Sequence, residues 1–281
     1  MFERLQRIDR RAVYIVLFLL MVALLKWPLR LPMVVSSDAR GFYEAVERTD
    51  PSKLVLVAAD WDAGTMAENG TQTEAVLRHL MRLHRRFAIM GFAWPAGPEL
   101  TDGIARRLAP EYDYEYGRDW VNFGFKPVLS ISLMTLVKDI PGFYKKDAKN
   151  TPVAELPALE GVRDIHDVSL IAQFTSAATL GSYIAFVWGP FKTPIVHGCT
   201  AVIGPQQYPY LDARQIEGLL MGVRGSAEYE ALIGRPGGGT EMMPAQSFAH
   251  LLIIVLIIVG NIGYLGARGW RQRKAGGAEG A

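Results

Sequence analysis

Two long apolar runs bracket the chain, and between them short apolar runs alternate with amphipathic stretches. The first, "AVYIVLFLLMVALL" (12–25), spans roughly 21 Å as a helix, against about 20 residues for a full crossing. Lys26 can snorkel, and Trp27, Leu29 and Leu31 extend the segment, so a transmembrane helix is expected over residues 12–31. A cleaved signal peptide is the competing reading. Lys26, Pro28 and Arg30 stand where small cleavage-site residues should be, which favours a retained anchor. The second run, "FAHLLIIVLIIVGNIGYL" (248–265), carries no formal charge and predicts a span over 247–266. Arg4, Arg7, Arg10 and Arg11 flank the first run; Arg268, Arg271, Arg273 and Lys274 flank the second. The positive-inside rule then puts both tails, 1–11 and 267–281, in the cytoplasm and residues 32–246 on the extracytoplasmic side.

The central segment alternates two periods. "KLVLVAA" (53–59) and "FAIMGF" (87–92) are β-type runs. Between them Val76, Leu77, Leu80, Met81 and Leu83 form a helical stripe, entered through "TQTE" (71–74), a capping-box pattern with Thr71 as N-cap and Glu74 at N3. A short helix over 99–108 follows. Strands are then expected at 119–125, 167–174, 182–188 and from 193, and a helix over 127–140 with Pro127 at its first position. A long last helix is expected over 212–234, with Asp212 as N-cap and Gly234 past its end. "GRPGGGTEMMP" (234–244) reads as a flexible link to the second span. This β-α alternation predicts an α/β fold: a Rossmann-like, mostly parallel sheet with helices on both faces.

The stretches "GRDWVNFGFKP", "TAVIGPQQYPYL" and "EGLLMGVRGSAEYEALIG" resemble an uncharacterised bacterial family of membrane-anchored α/β proteins. The resemblance spans most of residues 50–235. It implies the same fold and topology in a bacterial cytoplasmic membrane, with the main domain outside. It implies no activity and no catalytic residue.

Candidate chemistry gathers at strand ends, where ligands sit in open α/β sheets. Asp60 and Asp62 close the first central strand; Trp94, Asn122, Lys126, Thr175 and Ser176 end others. With Trp61, Trp120 and Trp188 nearby, a crevice with two acids and aromatic walls would suit an organic cation or polar small molecule. The plainer alternative has one acid capping a loop, the other facing water, and the tryptophans in the core. "DWDAG" lacks the serines of a D-x-S-x-S metal site, and alternate residues leave a strand on opposite faces, so no paired-carboxylate chemistry follows from it. His197 and Cys199 are adjacent same-face positions, a poor nucleophile–base geometry. His79 and His84 are five apart and share no helix face; His166 stands alone. "NGT" (69–71) matches a glycosylation sequon but overlaps the helix start. No Walker A or G-x-G-x-x-G pattern occurs, and no cofactor or metal is expected.

Gly218, Gly222 and Gly225, read as helical, lie three and four apart and mark a close approach of the domain's own sheet or a neighbouring subunit. Asn261, with Gly260 and Gly263, fits a helix–helix contact in the membrane, while His250 sits near the end of its span.

The formal charge of +2 over 281 residues gives no pull toward nucleic acid. The one cysteine allows no intrachain disulfide, so an extracytoplasmic domain must stand on its core alone. The expectation is a non-catalytic interaction or assembly subunit, with the bilayer and other membrane subunits or copies of itself as partners. A ligand-binding module at Asp60 and Asp62 ranks second and a hydrolase third.

Overall fold

The computed structural model describes residues 9–27, 29 and 33–276. Pro32–Thr240 forms one compact unit, and the two ends of the chain form another.

The larger unit is an α/β domain on a six-stranded sheet, β1 (Leu54–Asp60), β2 (Phe87–Gly91), β3 (Trp120–Phe125), β4 (Val168–Thr175), β5 (Ile195–Cys199) and β6 (Gly218–Met221). The order is β3-β2-β1-β4-β5-β6 and every pair is parallel. Strands covered on both faces read as continuous apolar runs, and "LVLVAAD" is buried at every position of β1. On one face Val55, Val57 and Ala59 meet α2 (Ser37–Glu47), α3 (Thr71–Arg82) and α4 (Ala96–Tyr112). On the other, Leu54, Leu56 and Ala58 meet α5 (Leu129–Leu136), α6 (Ile140–Tyr144) and α7 (Leu180–Phe191). After α8 (Tyr208–Asp212) and β6, helix α9 (Gly222–Ile233) returns to the first face through Tyr229 and Ile233.

Several expectations are corrected. Residues 182–188 are helical: Leu180, Tyr183, Ile184 and Val187 are buried at helical spacing, through a π-helical turn at Ile184–Trp188. The expected helix over 212–234 is broken: Asp212 ends α8 rather than capping a new helix, and β6 and α9 follow, because "GLLM" is an edge strand on β5 and Gly222 turns the chain at φ +60°. Gly218 therefore lies in a strand, Gly222 opens α9 in the left-handed region and Gly225 lies in the first turn of that helix, so the three do not share one helix face. The capping box at Thr71 is absent. A π-helical turn, Met66–Gly70, runs straight into α3, and Thr71 Oγ1 donates back to the carbonyls of Ala67 and Glu68. Glu74 instead binds Arg78 and Arg107. Helix α5 begins at Leu129 rather than Pro127, with Val128 held at φ +66°. Helix α2, not anticipated, is capped by Ser36, whose Oγ accepts from the Ala39 amide.

Its face against α3 and α9 carries a buried relay. The His79 Nε2 lies 3.0 Å from Glu47 Oε1 and Nδ1 2.7 Å from the Tyr229 hydroxyl, with Tyr43 stacked on the ring. Burial lowers the imidazole pKa to about 4, so the ring is neutral at pH 7 and ties three helices together without a buried charge.

The smaller unit holds α1 (Arg10–Lys26) and most of α10 (Gly238–Gly276). Among the described residues one helix is long and apolar enough to cross a membrane, Gly238–Leu265 of α10. Helix α1 has 17 residues, ends at Lys26 and exposes Tyr14, Ile15, Phe18 and Leu19; of the expected span over 12–31, residues 28, 30 and 31 lie outside the described residues. Ala12, Val13 and Val16 share an apolar cavity of about 160 Å³ with Leu252 and Leu256.

The glycine-rich link is not a free tether. Gly238 and Gly239 form the first turn of α10, and the buried Glu230 carboxylate accepts from the amides of Gly237, Gly239 and Thr240 and from the Thr240 hydroxyl. A carboxylate at a helix N-terminus answers both the unpaired amides and the dipole. Glu230→Ala is expected to cost about 2–3 kcal/mol by stranding those donors, with Glu230→Gln intermediate. Urea unfolding of the detergent-solubilised chain measures it.

Candidate functional site

The strand order reverses direction between β1 and β4, and the crevice outside their carboxyl ends is where this architecture places ligands. Asp60 ends β1 in register with Thr175 of β4. Its side chain turns inward and is fully buried. Oδ1 accepts from the amides of Phe92 (2.6 Å) and Ala93 (2.9 Å), on the loop after β2, and Oδ2 lies 3.3 Å from the Tyr183 hydroxyl of α7. The Ser176 amide donates to the Asp60 carbonyl. One carboxyl thus ties together β1, the loop after β2, the end of β4 and α7. Burial raises its pKa above the ordinary 3.8, against the pull of those hydrogen bonds.

The other expected site residues scatter around this point. Asp62 is partly exposed and its Oδ1 caps a turn through the Gly64 amide. Thr175 is buried, its Oγ1 bonded to Ala177 and Thr179. Asn122 is buried on the α4 side, donating to Glu99 and accepting from the Gly124 amide. Lys126 folds over the Phe143 and Tyr144 rings and donates to the Phe143 carbonyl at 2.6 Å; burial, then Lys145, lowers its pKa. Trp94 sits on the rim, 40% exposed, while Trp61 is wholly buried. The structure thus unites Asp60, Thr175 and Ser176 at the reversal point, leaves Asp62 and Trp94 on the rim, and puts Asn122 and Lys126 on opposite faces of the sheet. Two acids do not converge on one open crevice.

Beneath the reversal point lies a polar layer not foreseen from sequence. Gln173 donates to Thr179 Oγ1 at 2.8 Å and its Oε1 lies 3.0 Å from His197 Nδ1. With the amide oxygen as acceptor, Nδ1 carries the proton, and Nε2 is buried without a hydrogen-bond partner, as is the Tyr144 hydroxyl. Burial lowers the His197 pKa to about 3, so it is neutral across the physiological range. Cys199, on the same strand, is buried, and its thiol is pushed up to about 12, by burial first and then by Glu68. A nucleophilic cysteine needs the opposite, a lowered pKa and access. Iodoacetamide at about pH 8 is expected to leave Cys199 unmodified in the folded chain and to label it fully in urea; labelling of the folded chain, read by mass spectrometry, would contradict this placement.

Among the described residues no three of His, Cys, Asp and Glu come together as a metal site. A cavity of about 90 Å³ lies between the N-terminal ends of α2 and α9, lined by Asp38, Tyr208, Arg224 and Glu228. Glu228 fills its own part of that space, accepting from Ser36 Oγ at 2.5 Å and from Arg224 Nε at 2.7 Å. A shallower cleft of about 520 Å³, between Pro141 and residues 153–162, lies at the amino edge.

No family model, curated protein or solved structure matches this chain. Functional reasoning therefore stands on the residues themselves. The Glu47–His79–Tyr229 relay was not legible as a set, since its bonded partners lie 32 and 150 residues apart; Glu230 was not singled out, although its partners lie 7 to 10 residues on. The one sequence signal was a glutamate seven residues before a glycine run.

Proposed function

We propose that this chain is a membrane-anchored interaction subunit, an extracytoplasmic α/β domain held at the bilayer by an N-terminal and a C-terminal helix. The observation that carries the reading is the use of Asp60. The acid placed where this fold would meet a ligand is consumed by two backbone amides and a tyrosine inside the domain. The long apolar α10 supports the anchor, and the exposed apolar side chains of α1 support a second crossing beside it. Arginines beyond both helices support cytoplasmic termini. Asn261 donates to the Ile257 carbonyl of its own helix at 3.0 Å and is exposed, which keeps it available to a neighbouring helix.

Extraction from native membranes in mild detergent, with sizing and mass spectrometry, tests the proposal. A defined assembly well above the 31.1 kDa of one chain is expected. A lone, monodisperse chain would overturn the subunit reading.

A further inference from the structure

In Pro32–Thr240, the exposed large apolar side chains among the described residues are segregated. Apart from Val34, before the domain's first helix, each lies on a segment leaving the carboxyl end of a strand. Met66 follows β1, Trp94 follows β2, Val128, Ile131 and Met134 follow β3, and Val202 and Tyr208 follow β5. Their exposures run from 37% at Tyr208 to 84% at Val202. The amino edge, where Arg86 binds the carbonyls of Ala158 and Glu160, presents charged Glu155 and Glu160 instead. From β3 to β5 the apolar rim covers four strand spacings, about 19 Å. Val128 adds strain: a β-branched residue at φ +66° is sterically disfavoured, yet it holds an apolar side chain in the open.

The chain enters and leaves the domain at one place. Ser36 is fixed to Glu228 of α9 through its amide and hydroxyl. Gly239 is fixed to Glu230 of the same helix and lies against Ser226. Ser36 shares a cavity with Met221 at the end of β6 and with Tyr208, which follows β5, and Gly238 lies against Thr71, where α3 starts after β1, so both points lie toward the sheet's carboxyl edge.

We infer that the carboxyl edge of the sheet rests on the bilayer, with Met66, Trp94, Val128, Ile131, Met134 and Val202 dipping into the lipid headgroup region. The inference rests on the reading that the two terminal helices are in the membrane. Both segments that lead to the terminal helices leave the domain at this edge, and single apolar side chains spread along a rim, with Trp94 and Tyr208 among them, match an interfacial anchor. In this arrangement the place that would otherwise admit a ligand is turned to lipid.

The test uses the full chain in vesicles of phosphatidylcholine and phosphatidylglycerol. Single cysteines, Ile131→Cys, Val202→Cys, Glu155→Cys and Ile254→Cys, carry an environment-sensitive fluorophore; Cys199 is retained because it is buried. Nitroxide-bearing lipids are expected to quench positions 131 and 202 roughly two-fold or more, because side chains at the headgroup boundary touch them, and to leave 155 bright. Position 254 reports the anchor independently. If 254 is quenched while 131 and 202 behave like 155, the inference fails and the anchor stands. If 254 is not quenched, the membrane reading fails and takes the inference with it. If 131 and 202 are shielded from both lipid nitroxides and aqueous iodide, a protein covers the edge and the lipid assignment is overturned.

Discussion

Asp60→Ala is expected to destabilise the domain by about 3–5 kcal/mol, since it strands the buried Phe92 amide and the part-buried Ala93 amide and leaves a void against Tyr183. Asp60→Asn is expected to behave differently. Its amide oxygen can keep the bonds from Phe92 and Ala93, and its NH2 can donate to the Tyr183 hydroxyl. The contrast sharpens with pH. The folded-state pKa of Asp60 lies above its unfolded value of 3.8. The folded chain therefore holds a proton that the unfolded chain releases. The stability from this group is fully present below 3.8 and is lost as pH rises through the folded pKa. Asp60→Asn removes that dependence. Urea unfolding at about pH 4, 5.5 and 7 should show the parent losing stability relative to Asp60→Asn as pH rises. A constant difference across that range would mean the carboxyl is not buried as described. An effect on assembly with Asp60→Asn, at unchanged stability, would point instead to a ligand at the reversal point.

Gly218→Ala is expected to be the most damaging small substitution in the edge of the sheet. A Cβ there would lie 2.4 Å from the Phe42 Cα and closer still to its amide nitrogen, and backbone cannot swing aside as a side-chain tip can. Helix α2 packs on β6 backbone against backbone, so the added methyl forces the two apart, at a cost of about 3 kcal/mol or more. Gly103→Ala supplies the control. It sits on the exposed face of α4 with nothing near its Cβ position, and should stabilise by about 0.5–1 kcal/mol. Thermal melting of both variants decides the matter. Equal melting temperatures would show that α2 and β6 are not in contact as described.

The fold was legible where periodicity and length agreed. β1, β2 and β4 are buried apolar runs between turn signals, and α3 carries its stripe at helical spacing. The failures share a physical cause. A short apolar run fits a strand or a buried helix equally well until its neighbours are known. "SYIAFVW" looks β-branched and aromatic, yet counted from Leu180 its buried positions are helical. "GLLM" looks like part of a helix because "VRGSAEYEALI" follows it. Only the left-handed turn at Gly222 separates them, and a glycine's φ is not written in the sequence. At the site, the position of Asp60 at a strand end was readable. Its inward rotamer was not, because that depends on amides 32 and 33 residues away and a tyrosine 123 away.

The clustering of Ser36 and Gly239 on α9 also sets how the domain carries load. Tension between the two ends of the chain passes through the second half of one helix, from Glu228 to Glu230, without crossing the sheet. The six strands are a side branch from the line of force. A domain attached in this way is an insert whose two cut points lie side by side, the arrangement that lets one folded unit be exchanged for another while its flanking segments stay in register.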